Sequence, residues 1–164
     1  MWFELATAAD IRPKTRVVDA QAANESIRFA SETAGYVERI LVISDDPESP
    51  RAVRGILEKA GYDVTVAACG PIAMDVFRTA EPGLVVLDGL PGTLIQDLCR
   101  QIRDKSGNVP LLVLSTISDV EHVVLLLQLG ADGYITKPFS TLEFLARVRA
   151  AMRLSEHVVG LAWP

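Results

Sequence analysis

Between Arg39 and Met152 one pattern repeats five times: a short apolar run, then a stretch with helical periodicity. The runs are Arg39–Ile43, Asp63–Ala67, Leu84–Leu87, Pro110–Leu114 and Gly133–Thr136. A run of four or five apolar residues with few polar interruptions reads as a strand buried on both faces, which is the habit of parallel sheets; Asp63–Ala67 alternates at the strand period. Five βα units in succession predict a parallel sheet with helices on both faces and right-handed crossovers. The fold class is therefore α/β, a flavodoxin-like doubly wound five-stranded sheet.

The helical segments carry their own signals. Val53, Ile56, Leu57 and Ala60 share one face before Gly61 stops the first helix, and Pro71 opens a second with Ile72, Val76, Phe77 and Ala80 inward. Leu94, Leu98 and Ile102 mark the third, and residues 119–129 form the fourth. Ser140 and Glu143 make a capping box for the fifth, with Leu145, Val148 and Met152 facing the core. Residues 1–37 stand outside the alternation and read as a partly ordered extension, 38–153 as the domain, and 154–164 as a short tail.

At 164 residues the chain is long enough for one domain with a full core. A formal charge of −5 with no cluster of Lys or Arg argues against direct nucleic-acid binding and points to protein partners. No apolar run approaches the roughly 20 residues needed to span a bilayer, and the N-terminus lacks the basic-then-apolar order of a signal peptide. Cys69 and Cys99 have no metal-ligand spacing and read as small buried hydrophobes in a reducing, cytoplasmic setting.

In a doubly wound sheet the carboxyl ends of the first, third, fourth and fifth strands converge on one crevice, and Asp45, Asp88, Ser115 and Lys137 fall there. Singly, each has an ordinary explanation. An aspartate after a strand is commonly a helix cap, a serine at a strand end satisfies a backbone group, and a lone lysine is solvated. Together, an acid, a hydroxyl and an ammonium at one edge suit acceptance of a phosphoryl group.

The segment Gly130-Ala131-Asp132-Gly133-Tyr134-Ile135-Thr136-Lys137-Pro138-Phe139, with Val113-Leu114-Ser115 and Asp88 at matching distances, resembles the receiver (CheY-like) domain of two-component response regulators, most of all receivers of the winged-helix class. The resemblance spans roughly Glu38 to Arg153. It implies that Asp88 is the phosphoacceptor, attacking a phosphohistidine on a sensor histidine kinase or phosphotransfer protein. It implies Mg²⁺ held by Asp45, Asp88 and the backbone carbonyl of Leu90, where a hard cation offsets the repulsion among carboxylates and phosphoryl oxygens. Ser115 and Lys137 would contact phosphoryl oxygens, and the Lys137–Pro138 bond would be cis. Ser115 and Tyr134 would form a switch that alters the surface of the fourth helix, fifth strand and fifth helix, through which a homodimer can form. Such a domain is a signalling module with at most slow self-dephosphorylation, not an enzyme.

The chain also departs from that pattern. The register from Gly61-Tyr62 puts Ser44 and Asp45 where the family has two acids; the other register pairs Asp45 with Asp46, which in either case is a nearby metal-binding candidate. The loop after Asp88 is one residue short, Thr116 replaces a small residue, and Gly133 stands where a second acid is common. A degenerate receiver that works as a phosphorylation-independent interaction module is therefore the alternative. An aspartate-nucleophile phosphatase is excluded by Leu90, which occupies the place of the general acid, and no glycine-rich phosphate loop follows the first strand. Val123–Leu129 is apolar nearly all round, so it is either an overpacked buried helix or a contact face. Asp132, Arg147 and Arg149 are available for ion pairs across a dimer, and His122 and His157 read as surface residues away from the site.

Overall fold

The computed structural model describes residues 37–161 apart from Pro47, with side chains described as far as Arg153. The extension read at residues 1–37 thus lies almost wholly outside the described residues, as does the side chain of His157.

Ten elements alternate: β1 (Arg39–Ser44), α1 (Pro50–Lys59), β2 (Asp63–Ala68), α2 (Pro71–Ala80), β3 (Leu84–Asp88), α3 (Gly92–Lys105), β4 (Leu111–Ser115), α4 (Val120–Gln128), β5 (Gly133–Thr136) and α5 (Thr141–Leu161). The strands form one sheet in the order β2-β1-β3-β4-β5, every pairing parallel. The chain steps from β1 outward to β2 and then back to β3 on the other side of β1, so a topological switch point lies between β1 and β3. Their register sets Ser44 beside Asp88, and on the next strand Leu114 pairs with Asp88.

Two apolar layers cover the sheet. Leu41, Ile43, Val85, Leu87, Leu111 and Val113 turn toward α2, α3 and Leu126 of α4. Ile40, Val42, Leu84, Val86, Leu112 and Leu114 turn toward Val53 and Leu57 of α1 and Phe144 and Val148 of α5. This division of helices between faces is what right-handed crossovers require. The edge strand β2 is buried continuously from Asp63 to Ala67 instead of showing an exposed alternate face, because helices cover both sides.

Three helical faces differ from the periodicity reading by one position. In α3 Ile95, Leu98, Cys99 and Ile102 are buried while Leu94 sits at the margin. In α5 Phe144 is fully buried and Leu145 marginal. In α1 Ile56 and Ala60 border a face centred on Val53 and Leu57. The Ser140 hydroxyl accepts the Glu143 N–H at 3.0 Å, but the Glu143 carboxylate lies 3.6 Å from Arg147. Helix α5 runs on through Arg153 to Leu161, beyond the boundary read from sequence.

Candidate functional site

Asp88 ends β3 with its side chain wholly buried. A lone buried carboxylate is costly unless paired, and its partner is the ammonium of Lys137, which follows β5 and makes an ion pair with Oδ1. Oδ1 accepts no well-aligned hydrogen bond beyond that ionic contact. Oδ2 accepts from the Ser49 hydroxyl at 3.1 Å, and Lys137 Nζ donates to Ser49 Oγ at 3.3 Å. The Lys137–Pro138 peptide is cis.

Beside this group, Ser44 is buried and uses its hydroxyl locally: Oγ donates to the Asp46 carbonyl at 3.1 Å and lies 3.3 Å from Asp46 N. Asp45 and Asp46 are exposed. The Asp46 carboxylate accepts the Glu48 N–H at 2.9 Å, closing a turn. Asp45 stands close enough to Cys69, at the end of β2, to add to the effect of burial in raising that thiol above its ordinary range. Leu90 is buried two residues past Asp88, after Gly89, whose φ of +68° turns the chain at the edge of the sheet.

No group of three or more acidic, His or Cys side chains among the described residues could by itself hold a metal ion. The donors that the edge does offer are oxygens: the Asp88 carboxylate, whose Oδ1 is in ionic contact with Lys137 and whose Oδ2 accepts from Ser49, and the exposed Asp45 one residue beyond Asp88's neighbour Ser44. Few carboxylates of this kind suit Mg²⁺, which keeps several of its waters, better than a cation needing a complete protein cage.

Ser115 and Tyr134 are tied to a different place. Ser115 is buried at the end of β4, and its Oγ accepts the Ile117 N–H at 3.1 Å. The Tyr134 hydroxyl donates to the Ile117 carbonyl. One loop residue therefore holds both. His122 corrects the surface reading: its ring is edge-on to Tyr134 at 6.2 Å between centroids, it lies against Gly92, and its Nε2 is buried without a hydrogen-bond partner among the described residues.

Two of the three charges read as available across a dimer, Asp132 and Arg147, make contacts within the chain. Asp132 Oδ2 accepts from Arg103 Nη2 and from the Leu111 N–H, both at 2.8 Å. Arg147 faces Glu143 at 3.6 Å, and Arg149 lies near Tyr62, whose pKa is raised chiefly by burial. A β-carbon on Gly133 would lie 2.7 Å from Leu112 Cδ2, so an acid there would require that side chain to shift. Helix α4 is not overpacked: Leu126 alone is buried, while Val120, Val124, Leu125 and Leu127 are exposed. Cys99, as expected, is fully buried, which pushes its thiol up to about 11.

Sequence reasoning missed Ser49 and Arg103. Ser49-Pro50 at a helix start looks like an ordinary cap, and Arg103 like a solvated residue in a last turn; no local signal distinguishes either.

Residues 40–149 match the family model of the response regulator receiver domain. The chain belongs to that family. The receiver is 42% identical over 120 residues to the DNA-binding response regulator MtrA of Mycolicibacterium smegmatis, covering 73% of this chain and 52% of that protein. It is 38% identical over 143 residues to the alkaline phosphatase synthesis transcriptional regulatory protein SphR of Synechococcus elongatus, covering 81% and 56%. The chain thus spans about half the length of these relatives. Among solved structures it is similar to the N-terminal receiver domain of Klebsiella pneumoniae RstA, with 30% identity, a TM-score of 0.63, and coverage of 71% of this chain and 99% of that one. A CheY-like receiver domain protein from Methanospirillum hungatei shares the fold at 24% identity and a TM-score of 0.65, covering 74% and 98%. These relatives are two-component response regulators, signalling proteins and not classical enzymes. No helix of the described residues is long and apolar enough to cross a membrane.

Proposed function

We propose that this receiver, in the cytoplasm, accepts a phosphoryl group on Asp88 from a phosphohistidine of a sensor histidine kinase or phosphotransfer protein, with residues 38–153 as the working unit. The observation that carries the reading is the fully buried Asp88 carboxylate in ionic contact with Lys137 at the switch point of the sheet. The Asp88 carboxylate oxygens are the nucleophile that such a transfer needs, and the adjoining ammonium stands where phosphoryl charge would arrive.

In the transfer, an Asp88 oxygen forms a bond to phosphorus as the phosphorus–nitrogen bond of the phosphohistidine breaks, and the imidazole leaves with that electron pair. Lys137 then meets a phosphoryl oxygen with a compact positive charge, and Ser115 gives up the Ile117 N–H to donate its hydroxyl to another. Asp45, Asp88 and the Leu90 carbonyl, with Asp46 nearby, would hold Mg²⁺, which supplies neutralisation of the carboxylate and phosphoryl charges. Water then slowly attacks the phosphorus of the acyl phosphate, the bond from phosphorus to the Asp88 oxygen breaks, and inorganic phosphate leaves with the carboxylate restored.

The new charge, roughly −1.5 to −2, biases two arrangements of the β4–α4 loop. Once Ser115 leaves Ile117, the loop carbonyl that holds Tyr134 is released with it, and the surface of α4, β5 and α5 changes. That surface controls a partner or a homodimer. The contacts of Asp132 and Arg147 within the chain support an interface made chiefly by the exposed apolar residues of α4.

Intact-mass analysis after incubation with acetyl phosphate tests the reading. A phosphoryl adduct that needs Mg²⁺ and disappears in Asp88→Asn is the expected result. A folded protein that never gains the adduct would instead be a phosphorylation-independent interaction module, the role to which Ser44 in place of an acid lends weight.

A further inference from the structure

Ser49 belongs to no part of the chemistry described so far, yet it touches both charged members of the site. A serine just before a helix ordinarily accepts a hydrogen bond from an N–H of the first turn. Ser49 makes no such cap, and its hydroxyl crosses to β3, donating to Asp88 Oδ2 at 3.1 Å while accepting from Lys137 Nζ at 3.3 Å. Lys137 therefore reaches Asp88 twice, directly at Oδ1 and through Ser49 at Oδ2. Two features hold the hydroxyl there. Pro50 sets the backbone at the first turn of α1, and Gly89 leaves the space, since a β-carbon on it would lie 3.3 Å from Ser49 Oγ.

The reading of Asp88 as a cation-assisted phosphoacceptor gives this contact a consequence. A hydroxyl donating to a carboxylate points the positive end of its dipole at that oxygen, and the charge-assisted bond is among the stronger ones a side chain makes. A divalent cation approaching Oδ2 meets that positive end, and the hydroxyl must turn away, losing the bond. We propose that Ser49 is a positioning residue that holds Asp88 Oδ2 in competition with a divalent cation, so that its hydroxyl lowers the site's cation affinity. The inference rests on the functional reading above.

The test is a titration of the full chain with Mn²⁺ alone, a paramagnetic hard divalent ion, reading free Mn²⁺ by electron paramagnetic resonance. Ser49→Ala should bind about tenfold more tightly than the unsubstituted chain, a step of ~1.4 kcal/mol. Ser49→Thr, which keeps the hydroxyl, should bind as the unsubstituted chain does. Unchanged or weaker binding in Ser49→Ala overturns the proposal, and so does tighter binding in both variants, which would assign the effect to shape instead of the hydroxyl. If these results come with a normal phosphoryl adduct by mass, the functional reading stands and only the role of Ser49 falls. Absence of Mn²⁺ binding in all three proteins, with no adduct by mass, removes both.

Discussion

At the β1/β3 end of the sheet edge, Asp88, Lys137 and Ser49 hold one another by charge and charge-assisted hydrogen bonds; at the β4/β5 end, Ser115 and Tyr134 are held by the backbone of one loop residue, Ile117. The first cluster stands on strand ends and the start of a helix, so its members are placed by the core beneath them. The second is only as firm as its loop. Neutral hydrogen bonds exchange with water at little net cost, whereas a buried carboxylate cannot lose its cation cheaply. The molecule thus pairs a firmly held charged cluster with a neighbour that can rearrange, and under the proposed function that difference would let a chemical event at one end be read at the other.

The sharpest way to break the contrast is Lys137→Ala, which leaves Asp88 buried without its cation and should lower stability by about 3–5 kcal/mol in urea unfolding. Asp88→Asn should cost less, because the Lys137 side chain is 23% exposed and can turn to water. If the two variants lost equal stability, the charged cluster would not be the rigid one. Next comes His122→Leu: removing the unpaired buried nitrogen beside Tyr134 should raise stability by roughly 1 kcal/mol, with the unfolding midpoint moving upward. Tyr134→Phe should lower it by about 1 kcal/mol. In Ser115→Ala the Ile117 amide should exchange its hydrogen faster while residues around Asp88 keep their protection. The smallest effect on the fold is expected for Val124→Glu, within about 0.5 kcal/mol of the parent, since the residue is 45% exposed. Sedimentation of the phosphorylated protein should nonetheless show weakened self-association in that variant, and an unaltered sedimentation profile would remove α4 from the proposed contact.

Much of the candidate site is legible in the sequence because strand ends in a doubly wound sheet are where periodicity stops. Asp88 and Lys137 each follow an apolar run, and the topology brings both to the same crevice. Helix faces were legible only to about one position, as Leu94 and Ile95 illustrate, because a 100° step lets neighbouring residues share a margin. His122 was misjudged for a different reason. Its neighbours in space, Tyr134 and Gly92, come from other elements, and nothing around it in the chain announces them.

The sequence by itself determined the five-fold alternation, the parallel sheet and the family of the chain, since each follows from local periodicity, chain order and residues kept at strand ends. Only the tertiary structure decided that Ser49 closes a ring on Asp88 and Lys137, that Arg103 pairs with Asp132, and that α4 leaves its apolar residues exposed. Those contacts join residues 39, 88 and 29 positions apart. Hydrogen bonds and ion pairs over such spans depend on where the packed core leaves each side chain, and a pattern of apolar and polar residues carries no record of that.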